Sequence, residues 1–132
     1  MAFYGRIFEL SLRGRAPGMA FIDIGDQFIA LSEGRKQAPD DGRHFGLMVD
    51  DQEAARRALE DAGAEVLPGP GLDFVDPWGN RVQVVEYADI QLTREAGVLA
   101  GMGLADLRKS EAALTELEGK GLRPRSPGAA SP

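Results

Sequence analysis

Apolar and polar residues alternate over residues 8–13, and that period of two predicts a strand, followed by the turn-forming run Gly14-Arg15-Ala16-Pro17-Gly18. Residues 19–24 predict a second strand. Gly25-Asp26 then reverses the chain into a third over residues 27–33, which carries Phe28, Ile29, Ala30 and Leu31. The polar stretch 34–43 breaks the pattern and links two halves.

The second half opens on His44-Phe45-Gly46-Leu47-Met48-Val49. Strand alternation puts Phe45, Leu47 and Val49 on one face and His44, Gly46 and Met48 on the other. A helix is predicted next, with Asp50 as N-cap, Glu53 completing a capping box, an apolar stripe of Ala55, Leu59 and Ala62, and a stop at Gly63. Three further strands are predicted over residues 65–67, 72–75 and 81–87. They are separated by Pro68-Gly69-Pro70-Gly71 and by Asp76-Pro77-Trp78-Gly79-Asn80. The order is strand, helix, three strands. The first half repeats its last three strands, with only Phe3-Tyr4-Gly5-Arg6 standing where a helix would end. Beyond Tyr87 the pattern changes: Ser110 is a predicted N-cap for a short helix carrying Ala113, Leu114 and Leu117 and ending at Gly119 or Gly121. Residues 123–132, rich in Pro, Ser, Gly and Ala, are expected to be disordered.

Composition narrows the function classes. At 132 residues the chain fits one domain, and no apolar run approaches the roughly 18 residues of a membrane span. A net charge of −6 argues against a nucleic-acid partner, whose phosphates are met by clustered Lys and Arg. It leaves room for a cationic small molecule, although an acidic balance also serves solubility alone. There is no cysteine, so disulfides, thiolate nucleophiles and cysteine metal sites are excluded. The N-terminus Met-Ala-Phe-Tyr-Gly-Arg has no signal-peptide pattern, and a cytoplasmic location is expected.

The strand opening on His44, the helix start Val49-Asp50-Asp51-Gln52-Glu53-Ala54, and the run from Phe74-Val75-Asp76-Pro77-Trp78-Gly79-Asn80-Arg81 to Val82-Gln83-Val84-Val85-Glu86 together resemble the glyoxalase/bleomycin resistance/dioxygenase (vicinal oxygen chelate, VOC) superfamily. The Asp-Pro-x-Gly-Asn-Arg turn is the most specific element. With residues 3–8 and 21–25 the resemblance covers about residues 3–87. It implies an α+β fold of paired βαβββ modules, the first strand and most of the first helix of module one being absent, plus a short C-terminal helix. The implied organisation is a VOC domain over 1–90, made of a truncated module one at 3–33 and module two at 44–87. A C-terminal extension over 91–122 and the tail over 123–132 follow.

In metal-dependent members of this family a divalent cation lies between the modules, held by His from the first strand and Glu from the fourth strand of each. The resemblance places His44 at the second-module His position and Gln83 where Glu is expected; glutamine can coordinate through its carbonyl oxygen but carries no charge. The matching first-module position falls on Ala30, or on Ile29, and neither can bind an ion. His44 and Gln83 alone make an incomplete metal site, so they are read first as polar anchors in an apolar concavity. The expected ligand-binding set is therefore His44, Met48, Gln83, Val85 and Tyr87.

Two functions remain open. One is a glyoxalase/bleomycin resistance-like protein that binds a small molecule in the inter-module cavity without a cofactor. The other is a metal-dependent lyase, isomerase or ring-cleaving dioxygenase using Ni, Mn, Fe or Zn, its donors completed by a partner chain or by a longer N-terminus. Whether the chain is an enzyme stays open with them. The missing strand would leave an unpaired edge, from which a homodimer is expected, with Leu99, Met102, Leu104 and Leu107 of the C-terminal segment able to cover apolar surface.

Overall fold

The computed structural model describes residues 1–122, so the tail expected to be disordered lies outside the described residues. The chain divides into two compact units, Met1–Val85 and a second beginning at Glu86.

The first unit starts with a 3-10 turn, Tyr4–Arg6, and three antiparallel strands, β1 (Ser11–Ala16), β2 (Met19–Ile24) and β3 (Gln27–Ser32), in the order β1-β2-β3. Strand β2 has the bounds its alternation predicts. Strand β1 is displaced from the expected 8–13, for two physical reasons. Phe8 is 9% exposed, and its N–H bonds to the Tyr4 carbonyl at 2.9 Å, so its apolar character serves the core from a helical turn. The expected turn residues Gly14, Arg15 and Ala16 instead pair with Phe21, Ala20 and Met19, leaving Pro17-Gly18 to reverse the chain. A register shift between Leu12 and Gly14 accommodates Arg13 as a bulge.

Next come β4 (Asp40–Val49), α1 (Gln52–Asp61), β5 (Glu65–Leu67), β6 (Leu72–Val75) and β7 (Asn80–Glu86), with the second sheet ordered β4-β7-β6-β5. The N-cap of α1 is Asp51, not Asp50: its side chain accepts from the Ala54 N–H at 2.8 Å. Glu53 then falls one position too early to close a capping box and pairs with Arg56 at 3.6 Å and Arg57 at 3.5 Å. The stop at Gly63 is as expected. Its φ of 66° lets its N–H reach the Glu60 carbonyl while the Ala64 N–H reaches that of Leu59, both at 2.9 Å.

Ala55 and Leu59 of α1 pack into one core with Leu47, Leu72, Phe74, Val82 and Val84 of the second sheet and Ile24 of β2. Phe3 and Tyr4 join it, Phe3 against Phe74 with ring centroids 6.1 Å apart. Burying such side chains contributes roughly 1.5–3 kcal/mol each. The Gln27 side chain ties the two sheets polar-to-polar, donating to the Met48 carbonyl at 2.7 Å and accepting from the Met48 N–H at 2.9 Å.

The second unit holds α2 (Ala96–Gly101) and α3 (Glu111–Gly119). Ser110 caps α3 as predicted, its hydroxyl accepting from Ala113 N–H at 3.3 Å, and Ala113 and Leu117 are buried. Helix α2 has no counterpart in the hydrophobic pattern. Six residues with one buried side chain, Leu99, are too few to show a period, and its start rests on the Glu95 side chain accepting from the Gly97 and Val98 N–H groups. Among the described residues no helix is long and apolar enough to cross a membrane.

Candidate functional site

Both sheets of the first unit contribute to an open concavity of about 1230 Å³. Arg15, Met19 and Ala30 of the three-stranded sheet line one side, Arg43, His44 and Phe45 of β4 another, and Asp76, Trp78, Asn80 and Arg81 a third.

The third side is built by the Asp-Pro-x-Gly-Asn turn. Asp76 is 4% exposed, and its carboxylate accepts four hydrogen bonds. One oxygen takes the N–H groups of Trp78 at 3.0 Å and Asn80 at 2.8 Å; the other takes the Tyr4 hydroxyl at 2.8 Å and Asn80 Nδ2 at 2.7 Å. A buried carboxylate is tolerated only with such a complement of donors. Tyr4 in turn is held in its protonated, donating form: burial first, then the hydrogen bond to Asp76 and its negative charge, push the hydroxyl pKa well above its ordinary value. Gly79 has φ 80°, and a Cβ there would lie 2.6 Å from Pro39 Cβ, so the turn needs glycine both for its backbone and for the approach of the 34–39 loop.

That loop is clamped by Arg35. Its guanidinium donates to the Trp78 carbonyl and Asn80 Oδ1, both at 2.7 Å, to the Ala38 carbonyl at 2.8 Å and to the Gln37 carbonyl at 3.0 Å. Trp78 is thereby fixed through both its backbone groups. Its indole meets Phe3 edge-on at 6.5 Å yet remains 52% exposed.

Of the residues expected to bind ligand, His44 is exposed and lines this concavity. Met48 is 8% exposed, its backbone engaged by Gln27. Gln83 and Val85 are half-buried on β7, Gln83 opposite Asp73 of β6. Among the described residues, none of these three lines the concavity around His44. Tyr87 belongs to the second unit. It is 3% exposed, with the Arg94 guanidinium 5.3 Å and Lys109 Nζ 3.5 Å from its ring centre, and its hydroxyl accepts from the Arg94 N–H at 3.3 Å. Lys109 also donates to the carbonyls of Tyr87 and Ile90. Burial, then the charge of Arg94, lower its pKa to about 8 against the opposing pull of Asp89.

The donor set does not fit a divalent-ion centre. Gln83 is uncharged, and the acid opposite it, Asp73, receives Arg81 Nε at 2.8 Å and Nη2 at 2.5 Å on a single oxygen. Among the described residues no group of three or more His, Cys, Asp or Glu side chains converges as metal ligands would. The sequence alone does not mark Arg35 or Arg81 as site residues and singles out Trp78 only as part of the Asp76–Asn80 turn. Arg35 gives no local signal of this role, because the turn atoms it holds lie 43 and 45 positions away.

The model of the Glyoxalase/Bleomycin resistance protein/Dioxygenase superfamily matches residues 1–84, and the chain belongs to that superfamily. Its α+β architecture is shared with solved structures. A candidate glyoxalase family protein from Bacillus anthracis is 23% identical with a TM-score of 0.54, over 64% of this chain and 79% of that one. The bleomycin-binding protein complexed with bleomycin is 19% identical with a TM-score of 0.53, over 64% and 84%. The fosfomycin resistance protein FosX from Listeria monocytogenes is 18% identical with a TM-score of 0.54, over 64% and 78%. At these identities the likeness is one of fold. No curated protein matches the chain.

Proposed function

We propose that this chain binds a small organic molecule in the concavity of its first unit, without a divalent-ion centre. The observation that carries this is the concavity itself: about 1230 Å³, open to solvent, walled by Trp78 and Phe45 and edged by His44 and several arginines. Ligand sites are concave, partly apolar and marked by a few convergent polar groups, and this volume exceeds what a drug-sized molecule needs. The bleomycin-binding protein offers a precedent, at the level of fold only, for capture of a small molecule.

A fragment screen read by amide NMR tests the proposal. Fragments are expected to shift the amides of Ala30, His44 and Arg81 together; a library that moves none of them at millimolar concentration rejects it. Ni²⁺, Mn²⁺, Fe²⁺ and Zn²⁺ are expected to leave the melting temperature unchanged, and a rise of several degrees with one of them would speak for a metal centre. We also propose a homodimer. Supporting it, β1 is an edge of its sheet, and Leu12, Met19 and Phe28 on that sheet are 44%, 38% and 59% exposed. Sedimentation equilibrium giving a single monomeric mass would remove that part.

A further inference from the structure

We propose that Trp78 is the stacking platform of the concavity and that the ligand carries a flat aromatic or conjugated ring, an inference that rests on the binding function proposed above. Trp78 is the chain's one tryptophan, and it is 52% exposed while Phe3, the ring it meets, and Tyr4 and Phe74, which pack against Phe3, are buried at 7%, 2% and 0%. An indole left open in this way gives up apolar burial that its neighbours obtain.

It is also held still. The Trp78 N–H is fixed on Asp76, its carbonyl on Arg35, and its ring edge on Phe3. Behind these, Tyr4 and Asn80 complete the coordination of Asp76, and Pro39 presses on Gly79. An exposed aromatic ring with an immobile backbone loses little entropy when a second ring stacks on it.

The charge around the ring does not choose the sign of the partner. Among the described residues four arginines line the concavity, Arg15, Arg35, Arg43 and Arg81, with three acids, Glu33, Asp40 and Asp76. Asp40 is taken by Arg43 at 2.5 Å and Arg81 is taken by Asp73, while the four donors on Asp76 are neutral and leave its charge in place. The donors of Arg35 are spent on amide and carbonyl oxygens, which leave its positive charge uncompensated, and Arg15 has no acidic partner among the described residues. Glu33 and Asp76 oppose them, so the described lining is close to neutral and the selective feature it offers is the flat ring of Trp78.

Three probes separate the claims: 2-naphthoate, 2-naphthylmethylammonium with the same flat ring and opposite charge, and cyclohexanecarboxylate with the same charge and no aromatic face. Each is titrated into the full chain while the single indole N–H resonance, which must be Trp78, is followed by NMR. Naphthoate and 2-naphthylmethylammonium are both expected to shift that resonance to saturation and to bind about tenfold more tightly than cyclohexanecarboxylate. Trp78→Leu is expected to weaken both aromatic probes about tenfold, and Trp78→Phe by less.

Equal binding of naphthoate to wild type and Trp78→Leu overturns the inference, as does cyclohexanecarboxylate binding as tightly as naphthoate or an indole resonance that naphthoate leaves unmoved. If fragments from the screen above still shift the lining amides in that last case, the binding function stands and only the stacking platform falls. If no fragment does, both fall.

Discussion

Tyr4→Phe removes one oxygen and one hydrogen bond while keeping a ring that is 2% exposed, so it isolates the link between the N-terminal turn and the Asp76 turn. A hydrogen bond to a charged acceptor contributes about 1.5–3 kcal/mol. Here the acceptor oxygen keeps Asn80 Nδ2 at 2.7 Å, so the carboxylate is not stranded, and a loss near the lower end, about 1.5 kcal/mol, is expected. The full ring is worth more: Tyr4→Ala should cost about 3–5 kcal/mol. Urea unfolding followed by far-ultraviolet circular dichroism measures both. A loss under about 0.5 kcal/mol for Tyr4→Phe would refute the reasoning, since Asp76 would then be satisfied without the hydroxyl.

The same contact makes a second signature. The Tyr4 pKa is raised in the folded state, so above its ordinary value near 10 the unfolded chain releases a proton that the folded chain keeps. Its contribution to stability is whole below pH 10 and declines above it, by at most about 1.4 kcal/mol for each pH unit. Tyr4→Phe should lack this decline. Phenolate absorbance adds a direct check: with two tyrosines in the chain, Tyr4 should ionise only as the protein unfolds.

Gly79→Ala should destabilise by about 2 kcal/mol or more, from a side chain at φ 80° and a Cβ 2.6 Å from Pro39; an unchanged melting temperature would show that the loop yields freely. Gln27→Ala should cost about 2 kcal/mol and speed hydrogen exchange at the Met48 amide, whose partner it removes at 2.9 Å. Lys109 has its folded pKa lowered to about 8, so as pH rises through 8 toward the ordinary lysine value of 10.5 the folded second unit holds fewer protons than the unfolded one and gains stability. Lys109→Met should abolish that gain, and Nζ titration by NMR should place the Lys109 midpoint below the ordinary lysine value of 10.5.

The elements that could be read from the chain are those whose cause is local. Strands over 19–24, 65–67 and 72–75 carry the predicted bounds because the Gly and Pro turn residues that delimit them stand directly beside each segment. The stops at Gly63 and Gly121 and the cap at Ser110 are likewise short-range hydrogen-bond events. The errors arise where two local solutions compete. Asp50 and Asp51 are both able caps, and side-chain chemistry alone does not choose between them; Gln52, whose amide donates to the Val84 carbonyl at 2.8 Å, sets the helix against the sheet with Asp51 at its start. Phe8 and Leu10 alternate as a strand would, yet their apolar character belongs to a core gathered from distant segments.

The site was less legible because its determinants are long-range and polar. Family resemblance directed attention to the pocket face of β7 and to His44, and of these His44 alone lies at the concavity walled by the Asp76 turn. That turn was recognised as a reversal, which its proline and glycine explain within five residues. Its other role, holding an exposed indole steady, depends on Tyr4 some 72 positions earlier and Arg35 some 43 before Trp78. No periodicity encodes such pairs. The structure adds what the chain alone does not show: Asp76 and Asn80 can each satisfy their own turn, so an arginine and a tyrosine also committed to them exceed what a simple reversal requires. That surplus resists displacement of the turn, as the rigid wall of the proposed binding site requires.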